Sequence, residues 1–299
     1  MKEKIKREIF IGTTVSIFIL IFFIFMKFFS SYPDKSLIYP MRIPDKFVSL
    51  TSQYGVFSAV QYLVMDFIKF ILPFIPLVIS LGVLSLYGAK FGEDKKMGIL
   101  SCLIPTVIGL FYVGISTTLV LLSIGVIFAG FISTGLSEAY FRELKKWKRY
   151  RTGSNTVGKV LLVINILIFL GLFLTSLYSI NYYSNSYKNE TKNILESIIS
   201  PITSNEMNTN EIPGYKSLTE EQKQLIQQQY QEQLSKQKDL VNSKIDEMLN
   251  SEKISALIYL SVLSMPFIVF GLLEILRTLV FSPIAGIITG IGLREVKVS

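Results

Sequence analysis

Histidine is missing from this chain altogether, and cysteine occurs once, at Cys102. Without histidine there is no Ser–His or Cys–His nucleophile pair, no two-histidine zinc site and no histidine-ligated haem. A lone cysteine excludes an intrachain disulfide. The sequence carries neither a phosphate-cradling P-loop nor a GxGxxG dinucleotide fingerprint. The serines and threonines at 116–118, 123, 133 and 134 have no histidine to activate them. A serine–lysine pair would need a buried lysine, which no apolar run supplies. The expectation is a protein that is not an enzyme, with no catalytic, cofactor-binding or metal-ligating residue. Charge is sparse as well, and residues 98–137 pass without a single Asp, Glu, Lys or Arg.

What fills the chain instead is apolar sequence. Half of the 299 residues are hydrophobic, and the mean hydropathy is +0.48. Several uncharged runs approach 20 residues, the length of helix that crosses a hydrocarbon core about 30 Å thick. They are continuous and do not alternate as barrel strands do, so helices are the spanning element. The 98–137 run would make one helix about 60 Å long at about 1.5 Å per residue, twice what a bilayer needs. It therefore reads as two spans with a turn at 114–118, GISTT. The fold class expected is all-α: a polytopic helical membrane protein with spans near 9–29, 67–89, 99–115, 118–137, 160–180 and 254–276. The apolar stretch 281–293 is too short for a seventh span. It is read as a re-entrant or interfacial piece, or a continuation of the sixth helix past Pro283.

Orientation follows from residues 138–159, EAYFRELKKWKRYRTGSNTVGK, with seven Lys or Arg against two Glu. So basic a segment stays on the cytoplasmic side. Counting spans outward puts both termini there, and the cytoplasmic segments then hold 16 Lys or Arg against 7 acids. The net charge of +8 is thus an orientation signal for a multi-pass protein of the cell membrane, with attraction to anionic membrane lipids and not to nucleic acid. The first run, 9–29, is long and lacks small residues at its end, which favours an uncleaved anchor over a signal peptide.

Prolines punctuate the chain. Those at 33, 40 and 44 predict an extended loop after the first span. Beyond it Val56, Val60, Leu63, Val64 and Phe67 recur at helical spacing, as an interfacial helix or an early start of the second span. Pro73 and Pro76, Pro105 and Pro266 would bend their spans. Glycines at 109, 114, 125, 130 and 135 permit close helix packing.

Residues 181–253 separate the fifth and sixth spans, fall on the outer side, and carry eight Lys against eleven acids. Within them 219–250 lacks Gly and Pro and is rich in good helix formers, with Ser217 and Glu220 spaced as a capping box. Ile226, Tyr230, Leu234, Leu240, Val241, Ile245 and Met248 fall within an arc of about 140°. Upstream Tyr183, Tyr187, Ile194 and Ile198 share a face that Pro201 ends. The segment reads as a coiled-coil-like helical hairpin continuing spans five and six, with 202–216 as its tip and Pro213-Gly214 as the turn. Division of the chain is then a bundle at 1–180, the hairpin at 181–253, and 254–299 with the sixth span.

Ile226, Tyr230, Leu234, Val241, Ile245 and Met248 are the candidate contacts for a protein partner or for self-association. Alternatively, the two helices simply bury their stripes against each other. Two charge pairs, Asp66 with Lys69 and Glu274 with Arg277, lie near span ends and read as interfacial anchors, leaving no charge at the middle of any span. Asn189-Glu190-Thr191 is a glycosylation sequon on the outer side. The functional expectation is a scaffold, assembly or sensory component acting through the hairpin. The alternative is a transporter or channel subunit with proline-bent helices.

Overall fold

The computed structural model describes residues 2–29, 37, 39–203 and 219–294. The described residues are all-helical, without strands, and six helices are long and apolar enough to cross a membrane. These cover Glu3–Phe28, Val56–Phe91, Lys95–Val113, Thr117–Glu143, Lys148–Tyr178 and Glu252–Gly292. The α-helices are α1 Lys2–Phe28, α2 Tyr39–Tyr54, α3 Val56–Ile71, α4 Phe74–Phe91, α5 Lys95–Val113 and α6 Thr117–Glu143. They continue with α7 Lys148–Tyr178, α8 Ile180–Thr203, α9 Glu220–Asn250, α10 Glu252–Leu276 and α11 Ser282–Gly292. The chain divides into two compact units, Met1–Leu37 with Gln61–Ser179 and Leu263–Ser299, and Ile38–Val60 with Ile180–Val262.

In the first unit α4 is the central helix, packing on α1, α6, α7 and α11. Phe22 and Phe23 of α1, Leu77, Leu81 and Leu84 of α4, Leu122 of α6 and Ile164 and Ile168 of α7 are closed from the surface. The uncharged 98–137 run is two helices, turning at 114–116. Gly114 takes a φ of 119°, which side chains rarely adopt, and Ser116 caps α6 by accepting a hydrogen bond from the Leu119 amide at 3.3 Å. Small residues decide how near the helices come: a Cβ on Gly98 would strike the Gly130 carbonyl. The short link between α4 and α5 is held to α6, because the Glu93 amide donates to Glu138 Oε2 at 2.6 Å and the Asp94 amide to Thr134 Oγ1 at 3.3 Å.

One sequence expectation changes here, and two open alternatives are resolved. The basic stretch is not one loop, since α6 runs to Glu143 and α7 begins at Lys148. The second span starts early, at Val56, with α3 and α4 joined through a break at Leu72-Pro73. Proline lacks the amide that would continue the ladder, so the break falls where the ring sits. The 281–293 stretch continues the sixth helix: a π turn, Arg277–Phe281, links α10 to α11. Pro283 is tolerated because it stands in the first turn of α11.

The second unit contains a segment that the prolines disguise. Residues expected as an extended loop form α2, which packs on α8. Pro40 stands in the first turn, where its missing amide has no helical acceptor to lose, and Pro44 forfeits only one bond. Pro33 lies outside the described residues. Gly55, with a φ of 82°, separates α2 from α3. α8 and α9 pair antiparallel, with Lys192 Nζ donating to Asp246 Oδ1 at 2.7 Å and Lys188 Nζ to Asn250 Oδ1 at 3.0 Å.

The hairpin helices are not continuous with the helices that flank them. Ser179 breaks α7 from α8 and Ser251 breaks α9 from α10, where its Oγ donates to the Met248 carbonyl at 2.7 Å. α8 passes through Pro201 to Thr203. The capping box sits two residues later than expected, on Thr219 and Gln222, each accepting from the other's amide. Ser217, the Pro213-Gly214 turn and most of the 202–216 tip lie outside the described residues.

Candidate functional site

Two places gather polar or exposed chemistry. The first is in the bundle unit. The apolar run of α7 is interrupted at Asn165, which is nearly closed from the surface at 5% exposure. Its Nδ2 donates to Glu274 Oε1 at 2.7 Å. The other carboxylate oxygen of Glu274 accepts from Arg277 Nε at 2.8 Å and stands 2.7 Å from Nη2. Arg277 Nη1 completes the cluster by donating to the Gly158 carbonyl at 3.2 Å. Glu274 and Arg277 meet because three residues place them on one helix face.

This cluster revises the expectation of anchors at a span end. Because the sixth apolar helix runs on to Gly292, Glu274 and Arg277 stand near the middle of Glu252–Gly292. The π turn begins at Arg277 itself, and Thr278 Oγ1 donates to the Glu274 carbonyl at 2.9 Å. An extra residue in the turn re-aims the helix that follows, and such turns recur at functional sites. Chemically the arrangement is a neutral ion pair that latches α10 to α7. It offers no nucleophile, and an ion or polar solute could enter only if the two charges parted. Sequence reasoning found the pair and missed Asn165, whose signal was visible as the one amide inside VLLVINILIF. Asp66 and Lys69, the other pair, stand 3.5 Å apart and partly exposed.

The second place is the helical unit. Of the predicted contacts on α9, Ile245 is buried, Ile226, Tyr230, Leu234 and Val241 are half-buried, and Met248 is 45% exposed. Leu249, outside the predicted set, is buried instead, so the inward face is rotated from Met248 toward Leu249 at the end of α9 nearest its pairing with α8. Tyr183 and Tyr187 are buried on α8, while Ile194 is half-buried. The side chain of Ile198 lies outside the described residues. At 31 residues α9 is longer than α8, at 24. Leu225 and Leu240 are 58% and 59% exposed on this otherwise polar helix.

Burial pushes the Tyr187 hydroxyl well above the ordinary tyrosine value, since a phenolate there would lose its water. The hydrogen bond to Asp246 raises Lys192. Beside that pair Asn185, Lys188 and Asn189 line a cavity of 370 Å³, and the sequon residue Asn189 is exposed. Comparison with known protein families, with curated proteins and with solved structures finds no match.

Proposed function

We propose that this chain is a multi-pass protein of the cell membrane, with both termini cytoplasmic and residues 181–253 outside. On this reading it serves as a scaffold, assembly or sensory component whose helical unit recognises another protein or a second copy. The observation that carries it is the pair of leucines, Leu225 and Leu240, left more than half exposed on α9. Exposed large apolar side chains mean little singly. Here they flank the half-buried Ile226, Tyr230 and Leu234, on a helix longer than its partner. A helix-in-groove or helix-pair contact uses apolar anchors spaced this way.

The test places a photoactivatable residue at Leu225 or Leu240 of the full-length protein in its own membrane. A discrete adduct to a second polypeptide, lost when Gln228 and Glu232 are both changed to lysine to add like charge to the same surface, supports the reading. Adducts confined to the chain itself reduce the unit to a structural feature.

A second reading, a transporter or channel subunit, draws on the Asn165–Glu274–Arg277 cluster. Ionisable groups inside a spanning helix mark solute paths more often than surface charges do. Flux through reconstituted vesicles that survives replacement of both charges by Leu and Met counts against it.

A further inference from the structure

The N-terminus of α7 and the C-terminal half of α11 line an open groove of 600 Å³, within the range of about 300–1,000 Å³ usual for small-molecule sites. Its chemistry is split. Ile287 and Ile291 supply an apolar floor and stay 54% and 59% exposed. Lys148, Arg149 and Arg294 stand around it, and no acidic side chain is among the described lining residues. Lys148 rests its ammonium 4.1 Å from the centre of the Phe141 ring. Arg149 and Arg294 are exposed, and neither guanidinium has a hydrogen bond or ion pair among the described residues.

Two features of the backbone sharpen the site. Trp147 precedes α7 in the left-handed region, with a φ of 54°, and is the non-glycine residue with positive φ among the described residues. The left-handed turn is costly for a bulky side chain, and the indole stands 80% exposed at the mouth of the groove. No side chain caps the first amides of α7, so the positive end of that helix faces the same mouth. Gly290 keeps the floor flat, since a Cβ built there would sit in van der Waals contact with the Tyr150 backbone, 3.8 Å away.

We infer that this groove between α7 and α11 holds one anionic phospholipid, its phosphate between Arg149 and Arg294 and an acyl chain along Ile287, Gly290 and Ile291. The inference rests on the multi-pass reading above. Guanidinium forks match phosphate oxygens bidentately. A soluble anion would satisfy the cations and leave the isoleucines wet, whereas a lipid covers both. The side agrees, because the groove lies at the basic end of α7, where the positive-inside asymmetry points to the cytoplasmic leaflet and its anionic headgroups.

Trp147 is the chain's single tryptophan and reports on the groove directly. The full chain is reconstituted in phosphatidylcholine vesicles and phosphatidylglycerol is titrated in, with emission followed. A saturable shift is expected, along with quenching by phosphatidylglycerol brominated on its acyl chains. Arg149→Gln with Arg294→Gln should raise the half-saturation point about thirtyfold. Gly290→Leu should abolish acyl quenching while the cations remain. Both arginines are exposed, so the double variant keeps its fold. An unchanged emission, a double variant that responds like the parent, or the same shift with inorganic phosphate alone overturns the inference. Failure of the chain to float with the vesicles overturns the membrane reading itself, and the lipid site with it.

Discussion

At the scale of single residues, the Asn165–Glu274–Arg277 cluster is where one change should cost most. Each charged side chain keeps only 20–24% exposure, so removing one partner strands the other where water reaches it poorly. For a fully buried pair that costs about 3–5 kcal/mol; with this residual exposure Glu274→Ala should cost about 2–3 kcal/mol. The double change Glu274→Leu with Arg277→Met should recover most of the loss, since an apolar pair needs no compensation. Chemical unfolding in detergent micelles reads both, and a double variant no better than the single would disprove the latch. Gly98 supplies a second residue-scale test. Gly98→Ala drives a methyl into the Gly130 carbonyl and should destabilise by about 1–3 kcal/mol. Gly271→Ala, with nothing within 4 Å of the added carbon, should be neutral or gain up to about 1 kcal/mol from the better helix former.

At the scale of elements, the α8–α9 pair should be sensitive to alkali. Below about pH 10 Tyr187 is protonated whether the chain is folded or not, and contributes no pH dependence. Above it the unfolded phenol ionises while the buried one resists, so the folded form loses ground as pH rises. Lys192 acts in the same direction. Its bond to Asp246 raises its pKa, so its contribution is complete below the ordinary lysine value and fades as pH climbs through the raised one. The helicity of this unit should therefore decline above about pH 10, and Tyr187→Phe should remove the earlier part of that decline. A parent and a variant with superimposable pH profiles by circular dichroism would contradict the assignment. The start of α9 depends on its box, and Thr219→Ala should cost about 1 kcal/mol of helix stability, visible as fraying at Gln222–Leu225 in amide exchange.

At the scale of the whole molecule, the proposed topology predicts which residues meet an impermeant reagent. With the buried Cys102 replaced by serine, a single cysteine at Gln229 should label in intact cells, and one at Lys145 only after permeabilisation. The reverse pattern would invert the chain. The all-helical class and the six apolar helices were legible in the sequence alone, because hydrocarbon thickness sets a length that uncharged runs either reach or do not. So was the paired turn at Gly114–Ser116, since forty uncharged residues exceed one crossing. What the linear pattern could not decide was how neighbours reinterpret local rules. Prolines 40 and 44 read as loop, yet form a helix packed on α8, because tertiary packing outweighs the loss of one backbone bond. The apolar tail read as too short for a seventh span, with its attachment open; a π turn splices it to α10 and carries Glu274 and Arg277 from an apparent span end toward the middle of a longer helix. Asn165 meets that pair across 109 residues of chain, a coincidence that only packing creates. Composition and run length are properties of the chain, and they determined the class. Which polar groups meet depends on how helices lie against one another, and that was decided in three dimensions.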